Sequence, residues 1–497
     1  MFEHISTIKE LLSITTEYYG EKPVFSYMED GKINSITYSE FSKNVTAVAK
    51  SLILKGITNS KVSIASENSY YCLVWSYAIV LSGNVLVMLD NMATTQEKSY
   101  MVTHSDTVCL VYSSLNKEIC DYITDHNKSV IHTICIETDT KAYLNCDAEV
   151  ILPDTDGSEL SYLFYTSGTT GKPKGVMQSQ INLLRTSLYT SYSLEIKDTI
   201  YLMLPIHHIL PFANQILLSM YSGANIFISA GLKHLLVEMQ QVRPYCVFLV
   251  PAVLTYFDKM VEDIVQKQST MNNFNYLMAR KQAFRQLFGG QLRIIVCGGG
   301  PLNIDVAKRM QEVGVLVLNG YGLTETAGSI TVNPNDDNRL GSVGRINANS
   351  EAKVKDDELL FKSAYLFMGY YKDPEATAQA FDGEWFLTGD LGYMEDNYVY
   401  LSGRKKNLIV LPNGKNISPE ELEFEFMKME EIKEIVICEQ NGKLTAKIYT
   451  DCEEGLIRKK ISDLNKKLAS YKQIESVVFY KDEFPKTASK KIKRGEI

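Results

Sequence analysis

The sequence has no basic footprint. Among its 497 residues, 51 Lys and Arg stand against 59 Asp and Glu, a net charge of −8. That balance excludes the electrostatic signature of a nucleic-acid binder, so no nucleic-acid partner is expected. It also means that a polyphosphate ligand would have to be held by local groups, which gives weight to the few lysines inside glycine-rich segments. The nine cysteines are odd in number and include no C-x-x-C pair. Neither a disulfide framework nor a cysteine zinc site is expected, and reduced thiols in a cytoplasmic protein are. No long apolar run is present. The most apolar stretch, 72–89, is broken by Ser82-Gly83-Asn84 and closed by Asp90. It predicts a buried helix and then a buried strand, and no transmembrane segment. The opening M-F-E-H-I-S-T-I-K-E-L-L lacks a basic segment leading into a long apolar core, so no signal peptide is expected. Internal repeats and low-complexity segments are absent.

What is there is ordinary globular composition, 45% hydrophobic, long enough for a large domain and a small one. Strand-like runs such as 61–65, 108–112 and 293–297 alternate with helical periodicity through roughly the first 340 residues, which predicts an α/β architecture with largely parallel sheets. After Gly341 the runs shorten and turn signals multiply (Asp356-Asp357, Asp382-Gly383, Asp396-Asn397), as in a small β-rich subdomain. Gly403-Arg404-Lys405-Lys406-Asn407 forms a polar break. Beyond it lie roughly 90 charged residues, enough for a small α+β domain. The boundaries expected are 1–403 for an N-terminal domain and 404–497 for a small, mobile C-terminal one, with a hinge at 404–407.

Five segments carry chemistry. Residues 165–176 read Y-T-S-G-T-T-G-K-P-K-G-V after the apolar Leu163-Phe164. Glycines let backbone N–H groups approach an anion, hydroxyls donate hydrogen bonds, and lysines add charge. The Walker A pattern fails here, because Thr166 occupies the place of its first glycine and Pro173 follows Lys172. Gly298, Gly299 and Gly300 follow a strand-like run; bare backbone there suits a flat ring or a simple turn. Asn319-Gly-Tyr-Gly-Leu-Thr-Glu-Thr offers an amide, an aromatic face, a hydroxyl and a carboxylate on what reads as one short loop after the run 313–318. Thr388-Gly389-Asp390 reads as the end of a strand; its carboxylate suits a diol or an ordinary turn. Pro485-Lys-Thr-Ala-Ser-Lys-Lys-Ile-Lys-Arg494 is a basic segment that, by itself, reads as a solvated tail.

In order and approximate spacing these segments resemble the adenylate-forming superfamily, which holds acyl-CoA synthetases, peptide-synthetase adenylation domains and luciferases. The resemblance covers essentially the whole chain. It implies that Thr166, Ser167, Gly168, Thr169, Thr170, Gly171 and Lys174 hold the β,γ-phosphates of ATP, and that Gly298, Gly299 and Gly300 form the adenine shelf. It makes Asn319 the adenine amide partner, Tyr321 the stacking ring, Thr324 an α-phosphate contact and Glu325 the Mg2+ ligand. Asp390 and Arg404 resemble the ribose clamp, Lys406 the hinge residue, and Lys491 the lysine that bridges substrate carboxylate and α-phosphate. His208 matches a histidine of the acyl pocket and Gly414 the loop lining a pantetheine tunnel. The chain departs from the pattern at four places: Gln180 and His207 replace a common histidine and an aromatic, Gly300 a common alanine, and Lys490 the glycine before Lys491. A zinc site at His207-His208 is not expected, since adjacent residues rarely face one metal and no third ligand lies nearby.

The implied activity is attack of a carboxylate on ATP to give acyl-AMP and pyrophosphate, then transfer of the acyl group to a thiol. The segment 208–215, H-I-L-P-F-A-N-Q, contains no acid to pair with an ammonium group, and the run after it is apolar. A fatty or other apolar acid is therefore expected. The runs 204–208, 221–224, 281–290 and 403–420 look most like fatty-acyl ligases. No carrier-domain serine motif follows Lys491, so the acceptor is expected to be a separate molecule, coenzyme A or the phosphopantetheine of an acyl carrier protein. The alternatives are a freestanding enzyme loading an aryl or acyl group onto a carrier protein, and a nucleotide-binding pseudoenzyme.

Overall fold

The computed structural model describes residues 2–146, 148–166, 172–266, 273–410, 416–429, 431–440, 442–486 and 492–497. Ser167, Gly168, Thr169, Thr170, Gly171, Gly414, Lys490 and Lys491 therefore lie outside the described residues. The chain packs as two compact units, 1–351 with 362–381, and 352–361 with 382–497.

The first unit is built on two mostly parallel sheets. One has the strand order Gly369–Tyr370, Lys174–Ser179, Leu160–Thr166, Val85–Met88, Lys61–Ala65, Thr107–Tyr112, His132–Cys135. Its last five strands pair in parallel, and the first two add on antiparallel. The other has Leu316–Tyr321, Ile294–Cys297, Cys246–Leu249, Thr199–Leu202, Asn225–Ile228 and Pro23–Glu29 in parallel neighbourhood. The expected strands at 61–65, 108–112 and 293–297 are all present, within a residue at their ends.

Helix starts are written locally. Thr7 with Glu10, Thr37 with Glu40 and Thr94 with Glu97 each form a reciprocal capping box, so that hydroxyl and carboxylate satisfy backbone N–H groups at the helix start. The apolar stretch 72–89 becomes the helix Tyr70–Leu81, capped by Ser69, and the strand Val85–Met88. That helix is buried on nearly every side, only Tyr71 being exposed, as its lack of a polar face requires. It supplies Trp75 and Tyr77 to a core that also contains Phe41, Phe164 and Phe212. Among the described residues no helix is long and apolar enough to cross a membrane.

The second unit begins with neighbouring strands Ser350–Lys355 and Glu358–Ser363, then Trp385–Glu395 and Tyr398–Arg404, an antiparallel ribbon. A three-stranded sheet follows, Glu434–Gln440, Lys443–Tyr449 and Ser476–Tyr480. Helices Pro419–Phe426 and Glu454–Asn465 close its core around Leu422, Phe426, Ile437, Ile448 and Ile457. Within this unit the helix Pro419–Phe426 packs on the strand Tyr398–Arg404.

Candidate functional site

In the first unit, three strand ends bring together the residues matched to nucleotide contacts. Strand Leu160–Thr166 turns into Lys174–Ser179 with Thr166 paired to Lys174. The Lys174 ammonium lies 4.9 Å from the Tyr370 ring centroid and 3.8 Å from Asp373. Tyr370 sits on the short strand paired with Lys174–Ser179, in register with Val176.

The carboxylate of Glu325 is within the same cluster. Glu325 occupies a 3-10 turn, Thr324–Thr326, and accepts the Tyr370 hydroxyl at 2.8 Å. Its backbone carbonyl accepts the Phe367 N–H at 2.8 Å. Burial, and then the charge of Glu325, raises the Tyr370 phenol above its ordinary pKa, so it stays a donor. The Thr324 carbonyl accepts the Gln178 side-chain amide at 2.6 Å. Gln178 is fully buried and fixed in turn by Asn182 Nδ2 at 2.9 Å. The turn is closed by glycines that cannot be replaced cheaply. A Cβ on Gly322 would stand 2.3 Å from the Gly328 carbonyl oxygen, and Gly328 itself has φ +107°.

Asn319 and Tyr321 lie in the strand Leu316–Tyr321, so the loop expected at 319–326 starts only after Tyr321. Asn319 pairs with Cys297, and Gly298 follows Cys297 directly. A Cβ on Gly298 would lie 3.6 Å from the Gly320 carbonyl oxygen, which puts the triple-glycine run beside Asn319 and Tyr321. Asn319 Nδ2 donates to the Ser342 carbonyl at 3.2 Å, while its Oδ1 is buried with no hydrogen-bond partner. A buried amide oxygen without a donor is costly, about 1–3 kcal/mol. It is the acceptor that an exocyclic amine such as that of adenine would satisfy, so this residue fits the group implied for it. Gly300 has room for an alanine, since a Cβ would meet Pro251 at 3.7 Å.

The histidines precede a π-helical segment, Leu210–Leu217. Phe212 packs against Tyr77, Tyr162 and Phe164 at centroid distances of 6.0, 5.6 and 5.9 Å, so this segment is anchored in the hydrophobic core. Leu210 reaches within 3.5 Å of where a Gly298 side chain would start, which joins this segment to the glycine run. The expectation that no third metal-type ligand lies near His207 and His208 is corrected here. Asp90, just after the strand Val85–Met88, brings its Oδ1 to 3.0 Å from His207 Nε2. Chain neighbourhood could not reveal this, because parallel strands from two sheets carry the groups. Burial raises the Asp90 carboxyl pKa, but contact with His207 and the charge of both imidazoles outweigh it and hold it at about 2. Gln180 is accounted for by structure: its Oε1 accepts the Ile8 N–H at 2.8 Å and its Nε2 donates to Thr155 at 3.2 Å.

In the second unit, Asp390 lies within the strand Trp385–Glu395, not at its end. Gly389, at φ +69°, breaks the regular pleat just before it. Asp390 is buried, in register with Arg404, and its Oδ1 receives Arg404 Nε at 2.8 Å. Glu358 holds the same turn through the Gly389 N–H at 2.9 Å and Lys405 Nζ at 2.7 Å. Lys406 lies in a 3-10 turn, Lys405–Asn407, with its ammonium pKa lowered by burial and then by the Arg404 charge. Arg494 contacts Glu423, whose carboxyl is pushed up to about 7 by burial against the pull of that guanidinium. Tyr370, Gln178, Asn182 and Asp90 were not singled out as site residues in the sequence. The Gly369-Tyr370-Tyr371 run near the strand signals was the one available cue for Tyr370.

A family model described as AMP-binding enzyme matches residues 13–371. A long-chain-fatty-acid–CoA ligase of Mycobacterium bovis is 26% identical over 453 residues, covering 80% of this chain and 74% of that protein. A 2-succinylbenzoate–CoA ligase of Listeria innocua is 27% identical over 482 residues, covering 93% of each. Among solved structures, an anthranilate CoA ligase in complex with anthranoyl-AMP superposes with a TM-score of 0.85 at 20% identity, over 98% of this chain and 96% of that one. An o-succinylbenzoate CoA synthetase from Bacillus subtilis, in complex with its acyl-adenylate, gives 0.81 at 22% identity, over 98% and 97%. At these identities the structural likeness is one of fold.

Proposed function

Because the chain belongs to the AMP-binding enzyme family, we propose that it uses ATP to join a carboxylic acid to the thiol of coenzyme A, by way of an acyl-adenylate. The observation that carries this reading is the clustering, within one unit, of Lys174, Thr324, Glu325 and Tyr370, beside an Asn319 amide oxygen that lacks a donor. The names of the two curated relatives above, both CoA ligases, support coenzyme A over a carrier-protein phosphopantetheine.

A carboxylate is a poor electrophile, since attack must push against its negative charge. Conversion to a mixed anhydride with AMP removes that obstacle. The acid's oxygen attacks the α-phosphorus of ATP, the bond to the β-phosphate bridging oxygen breaks, and pyrophosphate leaves. No general base is needed, because the nucleophile is already an anion. The chain's task is to hold two anions together. In this reading Thr166 and Lys174, with Ser167, Gly168, Thr169, Thr170 and Gly171, hold the β,γ-phosphates. Gly298, Gly299 and Gly300 receive the adenine face, Asn319 accepts from its amine, and Tyr321 stacks on it. Thr324 contacts the α-phosphate, and Asp390, oriented by Arg404, binds the ribose hydroxyls. Glu325 would hold Mg2+, which supplies charge neutralisation at the phosphates when bound.

Lys491 is proposed to bridge carboxylate and α-phosphate, and His208 to border the acyl group. In the second step a thiolate attacks the acyl carbonyl and AMP departs with the electron pair of the anhydride bond. Residues 404–497 are proposed to act as a lid that turns at Lys406 between the two steps, with Gly414 along the thiol's path. Among acids, an apolar one suits the segment 208–215, which has no acid to pair with an ammonium group, and both fatty and aryl acids remain within that class. The nine free cysteines suit a reducing, cytoplasmic setting. The test is acid-dependent exchange of labelled pyrophosphate into ATP, across fatty acids of increasing length, benzoates and amino acids, followed by thioester formation with coenzyme A. Exchange without any added acid, or none with every acid, would sink the proposal.

A further inference from the structure

Asp90, His207 and His208 converge in the first unit. One carboxylate oxygen and one ring nitrogen from each imidazole lie within 4.8 Å of one another. Two elements bring them together: Asp90 follows the strand Val85–Met88, and the histidines stand between the strand Thr199–Leu202 and the turn Leu210–Leu217. Asn68 fixes the second element by donating to the Leu204 carbonyl at 2.8 Å and accepting the Ile206 N–H at 2.9 Å. The histidine loop is therefore held rigidly against the end of the other sheet.

The His207 side chain is only 5% exposed. Its Nε2 is buried and makes no hydrogen bond, although Asp90 Oδ1 is 3.0 Å away. The approach is thus off the direction in which a ring N–H would donate, and that same oxygen already accepts the Met92 N–H at 2.8 Å. An ion lying off the nitrogen–oxygen line would satisfy both atoms. Ligands at zinc distances of about 2.0–2.1 Å in a tetrahedron stand about 3.3 Å apart. The observed spacing, from 3.0 Å up to 4.8 Å, needs only small side-chain rotations to reach that. The donor set is nitrogen-rich, which suits zinc-class ions and not Mg2+ or Ca2+, whose ligands are oxygens. Lys98 is the opposing charge: buried, bound to the Asn91 carbonyl at 2.9 Å, and interacting with the Asp90 carboxylate. It selects further against ions that bind weakly through charge alone.

We propose that Asp90, His207 and His208 form a three-ligand site for a divalent transition metal of the zinc class, with the fourth position open to water. The site does not depend on the ligase reading. Occupancy would engage His208, the residue assigned to the acyl pocket, so bound zinc should also slow acid activation.

The test uses the full chain after chelator treatment and without nucleotide. Co2+ is titrated while the visible d–d absorption is followed, and Zn2+ is then added to displace it. One saturable equivalent is expected, lost on zinc addition. His207→Phe, which restores an aromatic, should weaken Co2+ binding by at least about tenfold, since even outer-shell partners of a metal are worth that much. Asp90→Ala should do the same, and thermal midpoints identify which variants are folded. Absence of a saturable signal overturns the site. So does an unchanged affinity in a folded variant, as would be seen if the ion sat on the exposed Cys452.

Discussion

The Tyr370 hydroxyl donates to Glu325 Oε1 at 2.8 Å across 45 residues of chain. The antiparallel pairing of Gly369–Tyr370 with Lys174–Ser179 creates this contact, and it puts the Lys174 ammonium over the same ring. A phenol fixed in a strand thus orients a carboxylate on a short turn whose backbone the Gln178 amide and the Phe367 N–H also hold.

If Glu325 holds the magnesium, Glu325→Gln should lower pyrophosphate exchange by about two to three orders of magnitude. Tyr370→Phe should cost less, about tenfold, as loss of one hydrogen bond to a charged group does. It should also raise the Mg2+ concentration needed for half-maximal rate. An unchanged magnesium requirement in Tyr370→Phe would separate the tyrosine from metal positioning.

Asn319→Ala should raise KM for ATP by about tenfold and erode the preference for ATP over GTP, because a buried acceptor facing an exocyclic amine discriminates between bases. The Asn319 amide also ties to the Ser342 carbonyl, so a thermal melt must accompany the kinetics. A retained ATP preference in the folded variant would remove Asn319 from base recognition.

Apolar acids should support exchange and proteinogenic amino acids should not. The segment 208–215 offers no acid. The carboxylate that the fold does bring to it, Asp90, already interacts with the buried Lys98 ammonium, so a substrate ammonium there would meet like charge. The strongest exchange coming from an amino acid would overturn the pocket assignment.

Lys491→Ala should lose adenylate formation by roughly three orders of magnitude, yet still pass a pre-made acyl-adenylate to a thiol. Lys406→Pro should behave in the opposite way, because proline fixes φ in the turn Lys405–Asn407 and resists rotation there. Equal loss of both half-reactions in both folded variants would argue against a turning lid.

Glu423 should make stability depend on pH. Its folded pKa of about 7 lies above the ordinary glutamate value of 4.5. The folded state then binds the proton more tightly than the unfolded one. The stabilisation is fully present below about pH 4.5 and is lost as pH rises through about 7. Urea midpoints of the wild type should fall over that window relative to Glu423→Gln, with a difference of up to about 3 kcal/mol. Parallel profiles for the two proteins would show that Glu423 does not titrate there.

Much of the scaffold is legible because it is local. The helix and strand around Ser82-Gly83-Asn84 follow from an apolar run interrupted by turn residues. The strands before the first two glycine loops follow from short apolar runs, aromatic-rich in Leu160–Thr166 and β-branched in Ile294–Cys297, that give way to glycine-rich sequence. Asp390 is a different case. Its strand continues past it, because Arg404 on the neighbouring strand pairs with it and Glu358 holds the Gly389 turn.

The family, the order of the glycine-rich loops and the periodicity of the elements between them are legible in the amino-acid order, since each depends on residues adjacent in the chain. Which side chains face one another is settled by packing in three dimensions. Gln180 turns to Ile8 across 172 residues, Tyr370 reaches Glu325, and Asp90 meets His207. Those contacts depend on which strands pair and in what register, and strand pairing is set by burial of whole faces. A short window of sequence carries no record of it.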